Sequence, residues 1–268
     1  DPPFVHFELI PDHLPERLKE VILRFPVGTM QFEIGIQSFD PIVQARVSRR
    51  QKNDVAAANI AWLREKSSAH LHVDLIAGLP GEDMQGFAQG FNRLVELAPH
   101  EIQFGILKRL RGAPISRHTQ EYGLRFNPDP PYNILATAAI DFATMQRLSR
   151  FSRYWDIVAN SGRYSRTLAL LLDESPFENF LEFSDWLYAK TGQTHALAQE
   201  RLVHLLHEFL CDESRCAPES AADALIADYR STGGRSRLRF ETGASTRVPP
   251  RRKDSGATPS RQARHLQS

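Results

Sequence analysis

Four short runs of alternating polarity, PFVHFELI, MQFEIGIQS, AHLHVDLIAG and EIQFGILK, punctuate the first part of the chain, and each leads into a helical pattern or a turn. This β-α repetition is the strongest constraint on the fold, because parallel strands must be joined by long crossovers, most simply helices. The spacing predicts helices over 14–25, 41–48, 53–66 and 83–97. In the last of these Phe87, Phe91, Leu94 and Val95 recur at helical intervals and form one apolar stripe for packing on a sheet.

Side-chain parity adds a second constraint. Val5, Phe7 and Leu9 share one face of the first strand and His6 and Glu8 the other; Phe32, Ile34 and Ile36 oppose Glu33, Gly35 and Gln37. Leu71, Val73 and Leu75 likewise oppose His72 and Asp74, and Ile102, Phe104 and Ile106 oppose Gln103 and Gly105. A parallel sheet covered on both sides would be apolar on both. Here one face repeatedly receives acids, amides and histidines, so that face is expected to line a cavity that binds something. An open antiparallel sheet with one wet face is the alternative; the long intervening helices favour parallel crossovers.

After Lys108 the pattern breaks into the turn-rich RLRGAPISRHTQEYGLRFNPDPPYN, and from Asn133 to about Arg230 the periodicity is helical. Beyond it the sequence is rich in Arg, Ser, Gly and Pro, and large apolar residues all but vanish after Phe240. The expected organisation is therefore an α/β unit over 1–125, an all-α region over 126–230 and a disordered tail over 231–268.

Thirty-three Lys and Arg against 32 Asp and Glu give a net charge of +1, so no global field points to nucleic acid or to an anionic membrane. No apolar run approaches the roughly 20 residues of a membrane-spanning helix, and the start lacks a signal-peptide pattern, so a cytoplasmic location is expected. Asp1 leads almost at once into a strand, which reads as the interior of a longer protein. Cys211 and Cys216 are spaced C-x4-C in a polar stretch and form neither a disulfide framework nor a metal motif.

On the polar face, Glu8, Gln37 and Asp74 lie toward the strand ends where barrel enzymes gather their chemistry. Arg49 and Arg50 return from a short helix, and a guanidinium there is a natural fork for a carboxylate; as the solvated end of a helix the pair would equally be at home. Gln103 would point inward from the fourth strand. Lys108, Arg109 and Arg111 offer a cationic mouth, or simply a solvated loop. His6 and His72 fit a packed core as well as a ligand site.

The segments FELIPD, GIQSFD with SRRQ, VDLIAGLPGE, IQFGILKRLRGAPI and NPDPPYNIL, in this order, resemble radical S-adenosylmethionine enzymes. The resemblance runs from Pro3 to about Arg230. It is nearest to the subgroup with an amino-terminal cobalamin-binding domain and a helical carboxy-terminal extension of the DUF4080 type. It implies a partial (β/α) barrel of the TIM type, the carboxy-terminal half, with S-adenosylmethionine across the strand ends beside a [4Fe–4S] cluster. Gln37 and Asp74 would meet the ribose hydroxyls and Arg49 the methionine carboxylate. Glu8 and Gln103 would be further cofactor contacts, and the GLPGE loop after Gly78 would approach the adenine. An electron donor such as flavodoxin or ferredoxin, cobalamin and a small-molecule substrate are implied for the full-length protein.

One departure is large: the family's C-x3-C-x2-C cluster loop is absent from this sequence, and neither cysteine replaces it. Three readings follow. The chain is the carboxy-terminal portion of a cobalamin-dependent radical enzyme, inactive alone; or a degenerate, non-catalytic interaction module; or an ordinary barrel enzyme that uses Glu8, Glu33 and Asp74 as acid and base.

Overall fold

A computed structural model describes residues 3–212 and 215–241. Its centre is a sheet of β1 (Val5–Leu9), β2 (Met30–Gln37), β3 (His70–Ala77) and β4 (Glu101–Ile106), in the spatial order β1-β2-β3-β4. All three pairings are parallel, which sets aside the antiparallel alternative. The crossovers carry α1 (Glu16–Ile22), α2 (Pro41–Arg46), α3 (Asn53–Lys66) and α4 (Met84–Glu96). Two of these helices start where the sequence supplies a capping carboxylate. Asp40 accepts from the backbone N–H groups of Ile42 and Val43 at α2, and Asp83 from that of Gly86 at α4.

The apolar parity of the strands becomes the core. Ile34, Ile36, Leu71 and Val73 are fully buried, each worth roughly 1.5–3 kcal/mol of transfer free energy. The predicted stripe on α4 packs there too: Phe87 and Phe91 lie 4.7 and 6.2 Å from Phe104 of β4, centroid to centroid.

The chain then passes a short 3-10 turn (Pro114–His118) and a small antiparallel pair, β5 (Arg125–Phe126) with β6 (Ile134–Ala136). This corrects the sequence expectation of helix from residue 133. The backbone at Asn133 bridges Lys108 and Ile134 donates to the Leu107 carbonyl, so the segment extends the edge beyond β4 and the first helix waits for the Asp141 cap. The helical region is α5 (Phe142–Val158), α6 (Ser165–Leu172), α7 (Pro176–Thr191), α8 (Gln199–Asp212) and α9 (Pro218–Ser231). Phe151 of α5 sits 4.9 Å from Phe104 and 5.2 Å from Phe91, so this region shares one aromatic core with the sheet.

A second correction concerns the tail. Residues 232–241 pack rather than leave the fold: Leu238 is buried, Phe240 stacks on His207 at 3.9 Å, and Arg230 forms a salt bridge to Glu241 at 2.8 Å. One leucine and one phenylalanine suffice to anchor a short segment that composition alone assigns to disorder. Residues 242–268, the rest of that expected tail, lie outside the described residues.

Candidate functional site

The polar parity of the strands forms a laterally continuous face. Glu8, Glu33 and His72 align in one row, Gly35, Asp74 and Gln103 in the next. Asp74 therefore stands in mid-strand rather than at the end expected from the sequence. A register shift between Gly35 and Gln37, paired with Asp74 and Leu75, brings Gln37 to it. Gln37 has φ +69, a left-handed conformation that costs about 1–3 kcal/mol for a non-glycine residue. Its side chain folds back over Gly35, where a Cβ would stand 2.5 Å from Gln37 Nε2.

Arg49 arrives from the turn after α2, while Arg50 is exposed. Arg49 Nη2 donates to the Gly35 carbonyl and Nε to Gln51 Oε1 at 3.2 Å. Burial pulls its guanidinium below the ordinary value, and the charges of Asp12 and Asp74 oppose that. Burial also pushes the Asp74 carboxyl up to about 7. Glu33 adds to the rise through its charge and a shared hydrogen bond, Arg49 opposes it, and Glu8 contributes a smaller push. Three of the sequence-derived residues, Gln37, Arg49 and Asp74, thus converge. Gln37 Oε1 and Asp74 Oδ1 are buried without a hydrogen-bond partner among the described residues, and such acceptors in a protein interior ask for a donor.

The other expectations fare differently. Glu8 and Gln103 lie on the polar face but are exposed, so they border the site without being enclosed in it. His6 is held by Glu33 at 3.2 Å, and His72 Nε2 lies 3.7 Å from Asp74 Oδ1. Lys108, Arg109 and Arg111 are all exposed, with Arg109 over the Phe126 ring. Gly78 has φ +90, yet the space beside it is filled: a Cβ would meet Ile134 at 2.7 Å, so this glycine serves packing by the following region. A Cβ on Gly105 would meet the Leu75 carbonyl at 3.3 Å, which again is strand packing. Among the described residues no group of His, Cys, Asp and Glu is arranged to hold a metal ion. Cys211 and Cys216 are free thiols far along the chain in the helical region.

Sequence reasoning missed two features. Ser38 donates to Glu82 at 2.5 Å, joining the loop after β2 to the loop after β3, and Glu82 Oε2 is buried with no partner among the described residues. Burial pushes this carboxyl up to about 7 against the favourable Ser38 contact, with Asp40 and Asp83 adding to the rise. The second is an amide chain behind Arg49, in which Gln44 donates to the Ser38 carbonyl and to Asn53 at 2.7 Å each. The signal for it was Gln44, Gln51 and Asn53 in one short stretch flanked by the buried apolar anchors Val43 and Ala56.

The structure thus defines a parallel α/β sheet with one polar face, on which an arginine, a carboxyl in mid-strand and an amide from the end of the neighbouring strand converge. Residues 120–243 match the family described as "Protein of unknown function (DUF4080)". The oxygen-independent coproporphyrinogen III oxidase of Paracoccus denitrificans is 27% identical over 95 residues, which are 35% of this chain and 21% of that protein. That of Bradyrhizobium diazoefficiens is 31% identical over 104 residues, 39% of this chain and 23% of the relative. Uncharacterized protein y4hJ of Sinorhizobium fredii is 35% identical over 69 residues, 26% of each chain. The matched stretches thus span about a quarter or less of these relatives' own length. Over part of its length the chain is thus similar to oxygen-independent coproporphyrinogen III oxidases, and over residues 120–243 to the DUF4080 family.

Proposed function

We propose that this chain binds S-adenosylmethionine across the ends of β2 and β3 and is the carboxy-terminal portion of a radical S-adenosylmethionine enzyme. The observation that carries the reading is the pair of buried acceptors without a hydrogen bond among the described residues, Gln37 Oε1 and Asp74 Oδ1, beside the Arg49 guanidinium. Vicinal ribose hydroxyls supply the donors those oxygens lack, and a methionine carboxylate suits the cation. Gly35 keeps the strand surface low enough for Gln37 to lie across it.

The residues of this chain do not fit the [4Fe–4S] cluster that the relatives imply, since its two cysteines, Cys211 and Cys216, sit in the helical region. No electron-transfer step is assigned to these residues. In the finer reading the cluster thiolates and a cobalamin-binding domain belong to the larger protein, where the cluster would reduce S-adenosylmethionine and cobalamin would open methyl transfer or rearrangement. The strands would then be part of a (β/α) barrel, to which their sequential parallel order is suited. The short share of each relative that is matched supports the portion reading; cobalamin rests on the resemblance of the helical region.

Equilibrium dialysis of the chain against S-adenosylmethionine tests the proposal. Saturable binding by the wild type that Asp74→Ala abolishes is the expected result; no binding by the folded wild type overturns it. The rise that Glu33 imposes on the Asp74 carboxyl, on adjacent rows of the polar face, favours one second reading, an acid–base pair working without iron. Turnover that survives an iron chelator would select that reading instead.

A further inference from the structure

We infer that Gln51 is a positioning residue for Arg49: it orients the guanidinium so that its terminal Nη1/Nη2 fork faces a ligand carboxylate. This deepens the S-adenosylmethionine reading and rests on it.

A guanidinium presents two edges to acceptors. On Arg49 the Nε/Nη2 edge is already occupied, with Nε donating to Gln51 Oε1 at 3.2 Å and Nη2 to the Gly35 carbonyl. The fork at the outer end is what remains for a bidentate carboxylate.

Gln51 is itself held in one orientation. Its Nε2 donates to Asn53 Oδ1 at 2.9 Å, so its Oε1 must be the end turned to Arg49. Asn53 Oδ1 also accepts from Gln44 Nε2 at 2.7 Å, and Asn53 Nδ2 donates to the Phe39 carbonyl at 2.6 Å. Gln44, almost fully buried, donates through its side chain to the Ser38 carbonyl at 2.7 Å, and its backbone carbonyl accepts the Arg49 backbone N–H at 2.8 Å. The chain Ser38–Gln44–Asn53–Gln51–Arg49, held also by Asn53 on the Phe39 carbonyl, therefore ties the cation to the same strand end that carries Gln37. Every side-chain link before the arginine is an uncharged amide. That matters chemically: an amide oxygen aims the guanidinium without neutralising it, whereas a carboxylate at position 51 would compete with the ligand for the same charge.

The test compares S-adenosylmethionine with 5′-methylthioadenosine, which keeps the nucleoside and thioether but has no carboxylate, in binding to the full chain. Gln51→Glu, nearly isosteric and retaining an acceptor, and Gln51→Leu are each expected to weaken S-adenosylmethionine about tenfold and to leave methylthioadenosine within about twofold. Asp74→Asn should weaken both. A merely structural role for Gln51 would reduce both affinities alike, and that result, or no change in either, overturns the inference while leaving the reading intact. Equal wild-type affinity for the two compounds overturns it as well. A folded wild type that binds neither overturns the reading and the inference together. Thermal melts report whether Gln51→Leu folds; Gln51→Glu decides the question if it does not.

Discussion

Gln37 lies across Gly35 so closely that a Cβ on the glycine would stand 2.5 Å from Gln37 Nε2. The left-handed backbone of Gln37 and the register shift beside it produce this overlap, and both belong to the last turn of a strand that is otherwise regular. The clash a methyl would create is with the far end of a flexible side chain, which moves at small cost. Gly35→Ala should therefore change stability by less than about 1 kcal/mol in a urea melt. It should nevertheless weaken S-adenosylmethionine about tenfold in dialysis, because Gln37 loses its seat. A large loss of stability with unchanged affinity would contradict this account.

Arg49 and Asp74 act on each other, the guanidinium resting on the carbonyl of Gly35, the residue beside Asp74 in the sheet. Among the charges that act on the Asp74 carboxyl, Arg49 is the one that pulls its pKa down, against burial, Glu33 and Glu8. Arg49→Met removes that pull and keeps comparable apolar bulk, so the Asp74 carboxyl should titrate above its present value of about 7. Carboxyl-carbon NMR of the chain follows the group directly; an unchanged or lower midpoint would mean that the two side chains are uncoupled.

The parts of this fold legible in the sequence were those that follow from periodicity. Alternation gave all four strands and the polar face, because each side chain's direction in a strand is fixed by parity. Gln37 and Asp74 stand out by parity and Arg49 by the resemblance, and the structure brings the three side chains near one another. Pattern could not show that Glu8 and Gln103, of the same parity, would stand open to solvent, since parity says nothing of what covers a face. Nor could it find Glu82 beside Ser38, 44 residues away, because loop-to-loop contacts have no period. Residues 232–241 were misjudged for a related reason: Leu238 and Phe240 count for little in composition and for much when one is buried and the other stacked.

Asn160 closes the free edge of β4. Its Oδ1 accepts the Ile102 N–H and its Nδ2 donates to the Ile102 carbonyl, each at 3.0 Å, so one side-chain amide substitutes for a neighbouring strand. Asn160→Ala leaves two buried backbone groups without those partners and should cost roughly 2–4 kcal/mol. Asn160→Asp retains the acceptor but sets a buried carboxylate oxygen against the Ile102 carbonyl, and should lose more than Asn160→Ala at neutral pH. Urea unfolding of the pair ranks them; equal stabilities would show that water replaces the amide.

Glu82 should make the fold weaken as pH rises. Its carboxyl is raised from the ordinary 4.5 to about 7 by burial, so the folded chain holds this proton where the unfolded chain has released it. Stability from such a group is fully present below about 4.5 and is lost as pH climbs through about 7, where the folded state must ionise a buried acid. Asp74, raised to about 7 as well, contributes a slope of the same sign. Glu82→Gln keeps an oxygen for the Ser38 hydroxyl and has no proton to lose, so its stability between pH 5 and pH 7 should fall less steeply than that of the wild type. At pH 8 the variant should be the more stable of the two by on the order of 2 kcal/mol. Urea melts at several pH values read both slopes. Identical slopes would mean that Glu82 ionises as freely in the folded chain as in the unfolded one, through a route to solvent that its buried, unpartnered Oε2 does not suggest.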